Sequence, residues 1–186
     1  MVVGGLWICL WTTRIRLWGA VPAALGATAA LLAPSPDLLV SGDGKHVAVV
    51  DAEGARSMLR DRTGDYMRSL LAEASGFDGD PLLLAERPYS ACTRDACIAA
   101  LRNEGGEWRL LATRSSYRLE WVGLTQSCAA ADVAVSDRRL PRACKPRWLK
   151  LDRAALEQTG GVAVYLGAQP RIETVADRVG KHPWAM

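Results

Sequence analysis

Hydrophobic and polar positions divide the chain near residue 37. Before it, Val2 to Trp11 is apolar, and Thr12-Thr13-Arg14-Ile15-Arg16 interrupts the run. Leu17 to Pro36 then continues for twenty residues without a charge. A helix rises about 1.5 Å per residue, so such a run covers a hydrocarbon core of about 30 Å. Pro22 and the glycines weaken it as a soluble helix, but both residue types are tolerated in membrane helices. The pattern predicts a transmembrane helix over 17–36. Over 1–16 it predicts the end of a preceding hydrophobic segment and a cytoplasmic basic loop. Arg14 and Arg16 precede the helix and Asp37 follows it. Positive charge stays in the cytoplasm, so residues 37–186 are expected in the periplasm of a Gram-negative cell, anchored to its inner membrane. A cleaved signal peptide is the rival reading, but Ala27-Thr28-Ala29 lies inside the apolar run. The truncated apolar start predicts that the chain is the last piece of a larger polytopic protein.

Beyond Asp37 the pattern changes to short strands and turn signals. Leu38–Ser41 reads as a strand, and 46–51 with 55–60 as a hairpin. Thr63 can cap a helix running to about Ala74, with Tyr66, Met67, Leu70 and Leu71 on its apolar face. Residues 77–88 read as a loop. Residues 92–101 and 107–113 form a second hairpin turning at Asn103-Glu104-Gly105-Gly106. A helix is predicted from about Glu120 to Ala129, then strands over 132–136 and 148–151. A helix capped by Asp152 follows, then strands over 161–166 and 172–175. Two strand-rich halves with helices predict an α/β sandwich. The loops Arg114-Ser115-Ser116 and Asp137-Arg138-Arg139 follow strands, where α/β domains usually build their sites.

Composition adds little. The chain has 186 residues, 49% hydrophobic and 23% charged, which suits one folded domain and some additional chain. A net charge of +3 is too mild to imply nucleic acid by itself. The charge distribution says more. Arg138, Arg139, Arg142, Lys145, Arg147, Lys150 and Arg153 fall within sixteen residues, with Trp148 among them. Such a patch can hold phosphates while an indole stacks on an unpaired base; a solvated connector, or a face toward anionic lipid, is the plainer reading.

Four cysteines, Cys92, Cys97, Cys128 and Cys144, fall in the part expected outside the membrane, and Cys9 does not. An even count fits disulfides in an oxidising compartment. Of the three pairings, Cys92–Cys97 would close a tight turn and Cys128–Cys144 would tie the central helix to the basic connector. A zinc site fits less well, since no paired CxxC and no accompanying histidine is present.

Catalytic signals are few. The histidines are His46 and His182, far apart in the chain, so the several-histidine cluster of a dinuclear hydrolytic site is absent. No G-x-S-x-G, P-loop or G-x-G-x-x-G occurs. No catalytic residue, metal or cofactor is expected.

The order of these signals resembles the C-terminal end of the ComEC family of DNA-internalisation channels. Val40-Ser41-Gly42-Asp43-Gly44 sits where that family has its V-G-Q-G-D turn, and Ala55–Asp61 where it has a strand ending in L-I-D-x-G. Ile98–Ser115 resembles the hairpin ending in L-L-T-G-D. Ala131–Pro141 resembles the A-D-V-L-K-x-x-H-H-G-S segment, and Gly180–Pro183 the closing G-H-P. The resemblance implies a metallo-β-lactamase-like αββα sandwich preceded by one transmembrane helix. It also implies degeneracy. Nothing like H-x-H-x-D-H occurs around Phe77–Pro88. The family's bridging Asp falls on Arg114 or Ser115, and its paired histidines fall near Asp137 and Arg138; His182 alone remains.

The expectation is therefore a non-catalytic exported domain of a channel for uptake of single-stranded DNA. Arg138, Arg139, Arg142, Arg147 and Trp148 are its candidate DNA contacts, and the membrane and the rest of a channel are its partners. Two alternatives stand beside it. One is a residual metal-dependent hydrolase using Asp43, Asp61, Asp137 and His182. The other is a purely structural domain.

Overall fold

Alternation of inward and outward side chains builds the larger part of the chain. In the computed structural model, residues 2–51, 54–60, 82–103, 105–115, 117 and 119–180 are described. They fall into two units, 1–35 and 36–186.

The larger unit is mixed α/β with two mixed sheets. The first has the order β11-β10-β1-β2-β3-β4. Its strands are β1 (Leu38–Val40), β2 (Val47–Val50), β3 (Arg56–Met58), β4 (Leu82–Leu83), β10 (Val162–Tyr165) and β11 (Arg171–Thr174). Only β3 and β4 run parallel. The second sheet has the order β5-β6-β7-β8-β9. It comprises β5 (Ser90–Cys92), β6 (Ala96–Asn103), β7 (Gly106–Thr113), β8 (Val133–Val135) and β9 (Leu149–Leu151), with β7, β8 and β9 mutually parallel.

The main core joins both sheets. Leu38, Val47, Val49 and Val164 of the first meet Ala99, Leu110, Val133 and Val135 of the second. Side chains one residue out of phase serve the other face. Leu111 and Ala134 pack with Cys128, Ala131, Leu140 and Cys144 around helix α3 (Trp121–Ala130). The central strands β7 and β8 are thus buried on both faces, which is why they read as continuous apolar runs.

Most predicted elements of this unit form, including both hairpins. Helix α4 (Arg153–Thr159) starts at Asp152, whose carboxylate accepts from the Ala155 N–H at 3.2 Å. Both expected disulfides, Cys92–Cys97 and Cys128–Cys144, are present. Cys92 and Cys97 are direct cross-strand partners of β5 and β6. The expected loop over 77–88 contains the two-residue β4 and a 3₁₀ turn, Leu84–Glu86, elements too short for periodicity to reveal. The strand expected over 172–175 forms as β11, and helix α5 (Val175–Val179), capped by Thr174, begins directly after it. The helix expected over 63–74 lies outside the described residues.

The smaller unit corrects one expectation. Residues 17–36 do not form a single helix. A 3₁₀ turn covers Arg14–Gly19 and α2 covers Ala20–Leu31, after α1 (Val2–Leu10). Among the described residues, no helix is long and apolar enough to cross a membrane. Proline explains both limits. Pro22 is the third residue of α2, where its missing N–H would be unbonded anyway, so it belongs to a first turn. Pro34 and Pro36 disfavour helical geometry in the residues before them, and α2 ends at Leu31.

Candidate functional site

Three segments of the larger unit converge at one rim, where β3, β7 and β8 end. The β1–β2 turn spans Ser41–His46 and is closed by Ser41 N–H to His46 O at 2.9 Å and Gly44 N–H to Ser41 O at 2.9 Å. Gly44 has φ +68°, and a Cβ there would stand 2.8 Å from Ser136 O and 3.0 Å from the Asp137 Cα. Glycine therefore lets a turn of the first sheet lie on the strand end of the second.

Arg60, just past β3, reaches across to that strand end. Its Nη2 lies 2.9 Å from Asp137 Oδ2 and donates to the Thr113 carbonyl at 3.4 Å. Both side chains are mostly buried, at 20% and 16% exposure, so solvent screens the pair only partly. Behind it, the Thr113 hydroxyl donates to Ser136 Oγ at 2.9 Å, and both residues are buried. Ser136 Oγ also accepts from the Arg138 N–H at 3.3 Å.

The neighbouring loop is equally committed. Arg114 donates its N–H to Asp95 O at 2.8 Å and its guanidinium to Thr93 O at 3.2 Å. The Ser115 hydroxyl bonds the Asp95 carboxylate. The Asp43 carboxylate accepts from Ser41 Oγ at 2.5 Å and from the Lys45 N–H at 3.0 Å. Burial pushes the Asp43 pKa up, but the Ser41 and Lys45 hydrogen bonds and the nearby His46 and Lys45 charges outweigh it and hold the carboxyl below its usual value.

The described part of this donor set does not fit a dication. Asp137 is paired with a guanidinium, and Arg114 and Ser115 bond a turn instead of facing a common point. Among the described residues, no group of three or more His, Cys, Asp or Glu could hold a metal ion. Asp61 and His182 lie outside the described residues.

Beside the Arg60–Asp137 pair opens a cleft of about 430 Å³, lined in part by Thr113, Leu119, Trp121, Leu124, Arg138 and Arg139. Trp121 starts α3 and is 60% exposed. Arg139 is exposed and lies 3.8 Å from Glu157, and Arg142 is exposed on the following turn. Lys150 is spent on structure: it donates to Leu140 O and Pro141 O at 3.3 and 3.1 Å and lies 3.5 Å from Asp152.

The expected DNA-contact set is split. Arg138 and Arg139 follow the C-terminal end of β8. Arg147 and Trp148 precede β9, which runs parallel to β8, so they sit at the other end. There Arg147 lies 3.6 Å from Asp132, and the Trp148 ring packs 5.2 Å from that of Trp108. The connector between Arg139 and Arg147 returns along the sheet, and this separates residues that lie close in sequence. Two residues of the rim were missed from sequence: Arg60, hidden in a strand pattern, and Trp121, counted only as part of a helix. A tryptophan at the first position of a helix that follows a strand-end loop was the available signal.

No protein-family model, no curated protein and no solved structure matches this chain.

Proposed function

We propose that the chain is the membrane-attached end of a ComEC-like channel for uptake of single-stranded DNA. Its sandwich is a degenerate metallo-β-lactamase-like domain, non-catalytic, that guides the strand on the outer side of the inner membrane. The observation that carries this reading is the Arg60–Asp137 pair. It puts an arginine and its counter-ion at the strand ends, where a hydrolase of that fold needs metal-ligating histidines and carboxylates. A guanidinium supplies fixed positive charge but cannot activate a water as a bound metal does.

The adjoining cleft supports a guiding role. Arg138 and Arg139 offer charge to phosphates, and the exposed indole of Trp121 offers a face to an unpaired base. The proposed contact set is therefore Arg138, Arg139 and Arg142 of the expected residues, with Trp121 in place of Arg147 and Trp148. Full-length chain in detergent, titrated into a fluorescent single-stranded oligothymidylate, tests the reading. Fluorescence anisotropy should rise with the wild type and rise less with Trp121→Ala. A wild-type chain that leaves the anisotropy flat overturns the DNA reading and leaves a purely structural domain.

A further inference from the structure

We infer that the turn between α1 and α2 is a binding site for anionic phospholipid headgroups, with the two helices lying side by side in the acyl layer. The inference rests on the membrane attachment proposed above and adds the partner and the residues.

The packing of the hairpin is the first observation. Its helices touch through backbone. A Cβ on Gly4 would lie 2.6 Å from both Ala23 N and Gly19 O, and one on Gly19 would lie 2.8 Å from Ile8 Cγ1. Gly4 and Gly19 are the buried residues of these helical segments. Large side chains point outward: Val2, Leu6, Leu10, Leu25, Leu31 and Leu32 are each more than half exposed. A pair of helices formed in water buries its large apolar side chains against each other. Helices in an apolar solvent gain nothing by that and meet through small residues.

The second observation concerns polarity. The charges of the hairpin are Arg14 and Arg16, both in the 3₁₀ turn. Trp18 belongs to the same turn. Trp7 and Trp11 stack with ring centroids 5.5 Å apart. The Trp7 indole N–H donates to Ile15 O at 3.1 Å, which ties these rings to the turn and satisfies a carbonyl there. Indoles and guanidinium groups gathered at one end of an apolar hairpin suit the headgroup level, where rings have one apolar and one wet edge and arginine meets phosphate. In a zwitterionic headgroup the phosphate charge is already balanced by its own ammonium group, so two arginines at this level favour the net negative surface of an anionic lipid.

Full-length chain diluted from detergent onto vesicles tests this by flotation. Phosphatidylcholine vesicles are compared with vesicles that also contain phosphatidylglycerol, for wild type and for Arg14→Gln/Arg16→Gln. An arginine near an anionic surface contributes about fivefold in partitioning, so the pair should contribute about 25-fold. The wild type should float with both vesicle types and prefer the anionic one. The double variant should keep its binding to phosphatidylcholine and lose about 25-fold of the anionic preference. A double variant that keeps the full preference overturns the headgroup site while leaving membrane attachment standing. A wild type that floats with neither overturns the attachment and the site together, and the apolar surface is then covered by protein.

Discussion

The two ends of the parallel strands β8 and β9 both carry arginine and tryptophan, yet they differ in what surrounds them. At the C-terminal end, Arg138, Arg139 and Trp121 border a cleft of about 430 Å³. At the N-terminal end, Trp148 is packed on Trp108 and Arg147 lies against Asp132. Positions 132 and 136 bound a strand that rises about 3.3 Å per residue, so the ends stand about 13 Å apart. Chemically similar side chains thus pack together at one end and border a cleft at the other, while an arginine at each end has a carboxylate neighbour, Arg147 near Asp132 and Arg139 near Glu157. Composition does not separate the two roles; strand direction and neighbours do.

The largest expected effect tests what holds the ends in place. The Cys128–Cys144 disulfide anchors the connector that runs between them. A loop of that length stabilises by about 3 kcal/mol in the chain-entropy account. Cys128→Ser/Cys144→Ser should lower the unfolding free energy by about that amount in denaturant titrations. A loss under about 0.5 kcal/mol, the scatter of ordinary surface changes, would show that packing alone fixes the connector.

The next contrast sets the two ion pairs against each other. Arg60→Met leaves Asp137 mostly buried without this partner and should cost about 1.5–3 kcal/mol. Arg147→Met removes an exposed arginine and should cost at most about 1 kcal/mol. Equal losses at the two sites, measured by the same titrations, would erase the distinction between a rim built around one pair and a merely decorated surface.

Binding should divide in the opposite sense. Arg138→Ala/Arg139→Ala should weaken single-stranded DNA about tenfold at low salt, through two lost phosphate contacts. Arg147→Ala should change the affinity by less than about twofold, since it stands at the opposite strand end and does not line the cleft. Anisotropy titrations of the two variants side by side decide this, and equal weakening would restore a single continuous patch.

The smallest expected effect is acid sensitivity. Burial raises the Asp43 pKa, but hydrogen bonds from Ser41 and Lys45 bring it below the usual value; Glu173 is lowered chiefly by its hydrogen bond from Arg178. A carboxyl whose folded pKa is depressed contributes stability that is present above its unfolded value and lost as pH falls through the folded value. Stability should therefore decline as pH drops below about 4, and Asp43→Asn should flatten part of that decline. An unchanged acid profile in Asp43→Asn would remove the Ser41–Asp43 turn from the account.

Much of this fold was legible because its signals are local. Short apolar runs bounded by turn signals gave β1 to β3 and β6 to β8, Asp152 marked the start of α4, and an even set of four cysteines gave two bridges. What escaped depends on tertiary contact. β4 has two residues and exists by pairing with β3. Residues 17–36 looked like one helix because hydropathy counts charge and is blind to where proline permits a helix to start. The site was half legible. The loops after β7 and β8 were identified as its place, and Asp137 as one of its residues. Arg60 comes from seventy-seven positions away, and no periodicity encodes that meeting.

The most direct test of the central claim is the salt dependence of single-stranded DNA binding by the full-length chain. The account predicts a linear fall of log affinity with log salt for the wild type. For Arg138→Ala/Arg139→Ala it predicts a slope shallower by about 1.4, at about 0.7 per lost phosphate contact. A slope unchanged by the double substitution would contradict it and take the DNA path away from this cleft.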